Sequence, residues 1–270
     1  MRLIPRLPQG NVNVSQASLL RDFALPLAGV AAVAALLYVL LGLAVDVLAP
    51  RIPPDLERRM ARHLVDGHPL LREARPAPPA LAELAERTRQ ALGTVPHAVD
   101  LRVLASGEVN AFALPGGRVV LTTGLLQALE YENELVFTLG HEMGHLAARD
   151  HLRGLGRGLV LAALATLLSG DGDGLGGLLE GMLDLGGRRF SRAQELAADQ
   201  AGLDAVAALY GHAGGLEKFF DRLGDEGSGG LAALGRTHPE APRRLAALEA
   251  AIRRRALPVA APLPLRLPRL

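Results

Sequence analysis

ELVFTLGHEMGHLAARD, residues 134–150, decides how this chain is read. Leu135, Val136 and Leu139 give an apolar face that can bury a helix. His141 and His145 stand four apart, so on that helix both imidazoles share a face and reach one ion. Glu142 then lies beside the ion without ligating it. From there a carboxylate can take a proton from an attacking water and later return it to a leaving amine. The pattern His141-Glu142-Met143-Gly144-His145 is short enough to recur by chance, so what surrounds it carries weight.

A catalytic zinc usually takes three protein ligands and keeps one position open. The residues leave two candidates for the third. His151 follows His145 by six, a spacing that elsewhere needs a glycine where this chain has Ala148. Glu195, in SRAQELAAD (residues 191–199), sits on a second helical stretch. Asp199 follows one turn later, where it could hydrogen-bond a ligand histidine. An ordinary solvated acidic face would look the same.

Composition narrows the chemistry. The 270 residues contain no cysteine, which excludes disulfides, thiolate ligands and a cysteine nucleophile. A net charge of +1 with interspersed signs offers no basic footprint for nucleic acid. Hydrophobic residues make up 49%, with the excess concentrated near the N-terminus. There, Phe23 to Leu48 reads FALPLAGVAAVAALLYVLLGLAVDVL, uncharged until Asp46. At ~1.5 Å per residue this crosses a hydrocarbon core of about 30 Å with room to tilt. It is also longer than the apolar part of a cleaved signal peptide. The expectation is one transmembrane helix that meets the bilayer through residues 23–48. Arg2, Arg6 and Arg21 before it nearly balance Arg51, Arg58, Arg59 and Arg62 after it, so charge alone does not orient it.

Around these landmarks the chain divides into a tail (1–22), the anchor (23–48), a helical linker region (51–79), a catalytic domain (80–257) and an extended, weakly ordered C-terminal tail (258–270). Asp55 is placed to cap a helix through LERRMARHLV. LAELAERTRQAL carries a helical stripe ended by Gly93. VDLRVLA and RVVLTT read as strands, with VNAFALPGG between them and a turn at Pro115-Gly116-Gly117. The expected fold class is α+β: mostly helical, with a small antiparallel sheet. The apolar run 158–168 is too short to span a bilayer alone; it reads as ordinary core packed over the site, with a re-entrant surface contact as the alternative, and SGDGDGLGG beyond it reads as a loop.

Four blocks in order, VNAFALPGGRVVLTTGLL, ELVFTLGHEMGHLAARD, FSRAQELAADQAG and THPEAPRRLAAL, resemble the HtpX-type zinc metallopeptidases, the family that includes the CAAX prenyl proteases and BepA. The likeness covers roughly residues 80–250 and implies a zincin-like domain with one zinc per subunit. It implies His141, His145 and Glu195 as ligands, Glu142 as catalytic base, and Asp199 as the acidic residue one turn past the glutamate. His238 matches a position near the metal, where it plugs a latent site or stabilises the oxyanion. Arg244 matches the arginine downstream of it, in a structural ion pair or in catalysis. Asn110, Ala111 and Phe112 match the strand edge that pairs with extended peptide. The implied activity is hydrolysis of peptide bonds in polypeptide substrates, in envelope protein quality control. The implied place is a bacterial-type inner membrane, single-pass, with the domain on the extracytoplasmic side. A latent or non-catalytic membrane-tethered binding or chaperone module on the same fold is the alternative, and an intact Glu142 speaks against it.

Overall fold

The computed structural model describes residues 18–64, 72–95, 98–169, 190–224, 231, 234, 238 and 241–266. The expected tail over 1–17, the 170–187 part of the glycine-rich segment and the last four residues lie outside the described residues. Helix α1 runs Leu19–Leu48, a stretch dominated by leucine, alanine and valine with Pro26 as its one proline. Pro50 then forces a single 3₁₀ turn, Ala49–Arg51, and Pro54 opens α2 (Pro54–Leu64) at a position that needs no backbone donor.

Helix α3 (Pro79–Leu92) buries Leu81, Leu84, Ala85 and Thr88 and closes on Gly93 in the left-handed conformation. A four-stranded sheet follows: β1 (Arg75–Pro76), β2 (Asp100–Leu104), β3 (Ala111–Leu114) and β4 (Arg118–Thr122). Its order is β1-β2-β4-β3. The expected antiparallel sheet is therefore mixed, with β2 and β4 parallel, Leu101 opposite Val119. The tight turn at 115–117 makes β3 and β4 antiparallel without fixing which of them lies inside. Here β4 is the inner arm, beside β2, and β3 takes the outer edge, antiparallel to β4 alone.

Short α4 (Thr123–Ala128) leads into the central helix α5 (Glu132–Ala147), of which thirteen residues are buried. It packs against α7 (Arg192–Tyr210) through small residues. A methyl on Gly144 would come within 2.9 Å of the Ala201 Cβ and 3.1 Å of the Ala198 Cα. That closeness brings the side chains of α7 within reach of the α5 histidines. Helices α8 (Leu216–Gly224) and α9 (Ala241–Arg254) close the core. Phe137, Phe219 and Phe220 meet edge to face, with centroids 5.4–5.8 Å apart. Each fully buried ring contributes roughly 1.5–3 kcal/mol.

Two expectations are corrected here. The C-terminal tail is extended but firmly held. The Glu132 N–H donates to the Leu263 carbonyl (2.8 Å), Leu265 N–H to Glu130 (2.9 Å) and Ala213 N–H to Pro258 (2.8 Å). The first of these satisfies one of the donors that every helix N-terminus leaves open. The run 158–168 is not ordinary core either. It is the second half of α6 (Asp150–Ser169), which packs on α1 and leaves Leu159, Leu161, Leu167 and Leu168 exposed.

Candidate metal centre

His141 and His145 project from α5 with their Nε2 atoms 3.2 Å apart. Glu195, at the start of α7, places Oε2 3.7 Å from His141 Nε2 and Oε1 3.8 Å from His145 Nε2. The position of Glu195 is set by the α7 cap. Ser191 and Gln194 exchange side-chain and backbone hydrogen bonds there, fixing the first turn. Zinc–ligand bonds of about 2.0–2.2 Å in a tetrahedron require donor atoms ~3.4 Å apart, and these three separations bracket that value.

His238 completes the cluster. Its Nδ1 lies 3.1 Å from Glu195 Oε1 and 3.2 Å from His141 Nε2. Ligand atoms of all four residues fall within 4.8 Å of one another, and all four are buried. On its far side His238 Nε2 is 3.6 Å from Glu142 Oε1.

Each α5 histidine is oriented from behind. His141 Nδ1 donates to Asp199 Oδ1 (3.0 Å), and His145 Nδ1 donates to Asp150 Oδ2 (2.9 Å). Both bonds put the proton on Nδ1 and aim the Nε2 lone pair at the common centre. Asp199 is itself gripped by Arg244, whose Nε and Nη2 donate to its two oxygens at 2.7 and 2.6 Å. Arg244 Nη1 also reaches the His238 carbonyl (2.7 Å) and Glu195 Oε2 (3.1 Å). Asp150 takes a second bond from Gln194 Nε2 at 2.6 Å, and Phe190 stacks on His145 with centroids 3.9 Å apart.

Asp150 is held by a wider polar cluster. Its neighbours Arg149 and His151 both turn to Glu57 of α2, which is 0% exposed. His151 Nε2 donates to Glu57 Oε1 (2.9 Å), which also accepts the Gly116 N–H (2.8 Å). Arg149 takes a positive φ of 59°, rare for a residue with a side chain. That turn sends Asp150 towards His145 and the flanking side chains towards Glu57. His151, the rival third ligand, thus points away from the cluster.

The electrostatics suit a cation. Desolvation, with the neighbouring His145 and His238, pushes the His141 pKa down to about 3 against the pull of Asp199, so its imidazole is neutral. At Glu195 burial works upward but is outweighed by the His238 hydrogen bond and by His141 and Arg244, and its pKa falls to about 2. At Asp199 burial is likewise overcome, by the bonds from Arg244 and His141, so its carboxyl titrates well below the usual range. Desolvation pushes Glu142 up, against the influence of His238 and His145, which gives that carboxylate a stronger hold on a proton. Two imidazoles of fixed tautomer and one ionised carboxylate, converging in a dry pocket, fit zinc.

The strand expected to meet substrate is the sheet's outer edge. The Asn110 carbonyl accepts from Thr122 N–H on β4 (3.1 Å), so the even-numbered positions of this stretch face inward. Ala113 N–H faces the other way and donates to the Glu142 carboxylate. Asn110, Ala111 and Phe112 are all buried.

Asp150, Gln194, Glu57 and Ala113 were not singled out in the sequence. The only local signal for Asp150 is its place five residues after His145.

A model of peptidase family M48 matches residues 79–252. Among similar proteins, the mitochondrial metalloendopeptidase OMA1 of Arabidopsis thaliana is 34% identical over 137 residues, covering 50% of this chain and 28% of that protein. The metalloprotease LoiP of Escherichia coli is 29% identical over 151 residues, covering 54% and 60%. A putative beta-barrel assembly-enhancing protease of Vibrio cholerae is 29% identical over 134 residues, covering 44% and 27%. The chain thus spans from about a quarter to three fifths of the length of these relatives.

Proposed function

The chain belongs to peptidase family M48, and from that premise we propose that it is a membrane-anchored zinc endopeptidase acting on polypeptides. The observation that carries the reading is the convergence of His141 Nε2, His145 Nε2 and the Glu195 carboxylate beside Glu142 in one buried pocket. His141, His145 and Glu195 would hold the metal. A zinc held there would supply Lewis acidity to the scissile carbonyl and to an attacking water.

The chain's own residues supply the rest. Glu142, raised in pKa, takes the proton of the attacking water and returns it to the leaving amine. An extended peptide adds to the outer edge of β3 along Asn110, Ala111 and Phe112, where Ala111 carries the outward backbone groups and Asn110 and Phe112 the inward ones. The bond from Ala113 to Glu142 ties that edge to the base. Asp199 and Asp150 keep the histidines aimed.

His238 supports a second reading, a latent resting form. Its Nδ1 stands 3.1–3.2 Å from Glu195 and His141, within the same cluster as the ligand atoms, so it competes for the position that substrate needs. Withdrawn from there, it lies near the developing oxyanion. We place α1 across a bacterial-type inner membrane with the domain on the extracytoplasmic side, and envelope proteins as the substrate class. Protease accessibility in intact cells and spheroplasts tests the side.

The activity is tested with the full chain in detergent, loaded with zinc and given casein. Cleavage by wild type and none by Glu142→Gln at equal zinc content supports the peptidase. Zinc without cleavage in both, persisting in His238→Ala, would leave a binding module.

A further inference from the structure

Helix α6 has two unlike halves. Its first turn is buried (Asp150, His151 and Leu152), and Asp150 there supports His145 of the metal centre. From Gly158 to Ser169 it reads GLVLAALATLLS, without a charge. In that half only Ala162 and Leu164 are buried among the described side chains, whereas Leu161, Leu167 and Leu168 are 50%, 74% and 58% exposed.

This half lies along α1. The two helices approach closely at Gly156, where a methyl would come within 2.6 Å of Val45, the small-residue approach that helices use in membranes. One residue further along each helix, Arg157 pairs with Asp46. That ion pair marks a boundary: beyond it both helices are apolar. Leu164, Leu167 and Leu168 then face Val30, Val33 and Leu37 across an apolar cleft of about 300 Å³.

We propose that Gly158–Ser169 is a second membrane-embedded element, sunk one leaflet deep beside α1 and in contact with lipid acyl chains. Twelve residues at ~1.5 Å each reach ~18 Å, close to half of a hydrocarbon core of about 30 Å. An apolar face of this size is foreign to a water-exposed monomer, and it continues the lipid-facing surface of α1. The inference rests on α1 being the anchor. Its consequence concerns access: Asp150, which orients His145, is seven residues, or ~10 Å along the helix, from the Arg157 boundary. The metal centre therefore stands at the bilayer surface, positioned for polypeptide segments that emerge from or lie on the membrane.

The chain has no tryptophan, so single Trp variants report cleanly. The full chain is reconstituted in phosphatidylcholine vesicles with Leu36→Trp (α1), Leu167→Trp (α6) or Val259→Trp (the C-terminal tail). Each is exposed to lipid brominated on its acyl chains and, separately, to iodide in the buffer. The proposal predicts that Leu36→Trp and Leu167→Trp lose most of their emission to brominated lipid and none to iodide, with Val259→Trp showing the reverse. Lipid quenching at Leu36→Trp but not at Leu167→Trp would overturn the proposal and leave the anchor intact. A Leu167→Trp emission that neither agent quenches would likewise overturn it, in favour of a protein partner on that face. Absence of lipid quenching at Leu36→Trp would defeat the anchor reading and this proposal together.

Discussion

The metal centre and the α1–α6 pair are joined by the turn at Arg149, yet they bury opposite chemistry. Around α5 and α7, Glu57, Glu142, His145, Glu195 and Asp199 are at most 3% exposed. Along α1 and the second half of α6, leucine and valine face outward. In the first region each buried charge has partners: Asp199 binds Arg244 and His141, and Glu57 binds Arg149 and His151. Burial without such pairing would cost several kcal/mol per ion. In the second region the apolar surface has no protein partner among the described residues except the neighbouring helix. The two halves thus assume different solvents, a dry polar cage and a hydrocarbon film, and exposure has meaning only against the solvent each one meets.

The largest effect is expected where the cage does chemistry. Glu142→Gln should cut casein turnover by about 10²–10⁴-fold, the usual worth of a positioned proton-transfer group, while zinc per chain stays unchanged. Loss of zinc in that variant would make Glu142 part of the cage instead. Next come the residues that aim the histidines. Asp199→Asn and Asp150→Asn should each weaken zinc binding by roughly 10–100-fold in chelator competition. An effect at one and not the other would show that the two histidines are not held alike.

Glu57→Gln should cost about 1–3 kcal/mol in urea unfolding, because the buried Arg149 and His151 lose an ionised partner. The acid limb of stability sharpens the same point. Glu195 and Asp199 titrate lower in the folded protein than in the unfolded chain, where carboxyls take up protons near pH ~4. Their contribution is therefore full above about pH 4–5 and is lost as pH falls towards 2. Glu142, raised by burial, acts with the opposite sign, and its share is lost as pH rises through its folded value. Asp199→Asn should flatten the acid limb of the zinc-free protein, measured as urea midpoints. The smallest effect belongs to the other region: Leu167→Ser should change the stability of the detergent-solubilised domain by no more than about 0.5 kcal/mol, as for a surface site.

Residue spacing made the centre legible in part. His141 and His145 declare themselves through helical periodicity, and α1 through its length. Glu195 needed the resemblance, because nothing local separates it from a solvated face. Asp150 was hidden because its reach to His145 depends on a left-handed turn at Arg149, a conformation that no arginine advertises. Glu57 lies 94 residues before His151 and becomes its neighbour only in the fold. The parallel β2–β4 pair was missed because a hairpin read along the chain does not reveal which arm turns inward. The second half of α6 was read as core because the apolar run was taken apart from the polar turns that begin its helix.

The ligand set of His141, His145 and Glu195 is tested most directly by zinc per chain in wild type, Glu195→Ala and His151→Ala. One zinc in wild type and His151→Ala, with loss from a folded Glu195→Ala, is the predicted result. Stoichiometric zinc retained in Glu195→Ala, or none in folded wild type, would contradict it.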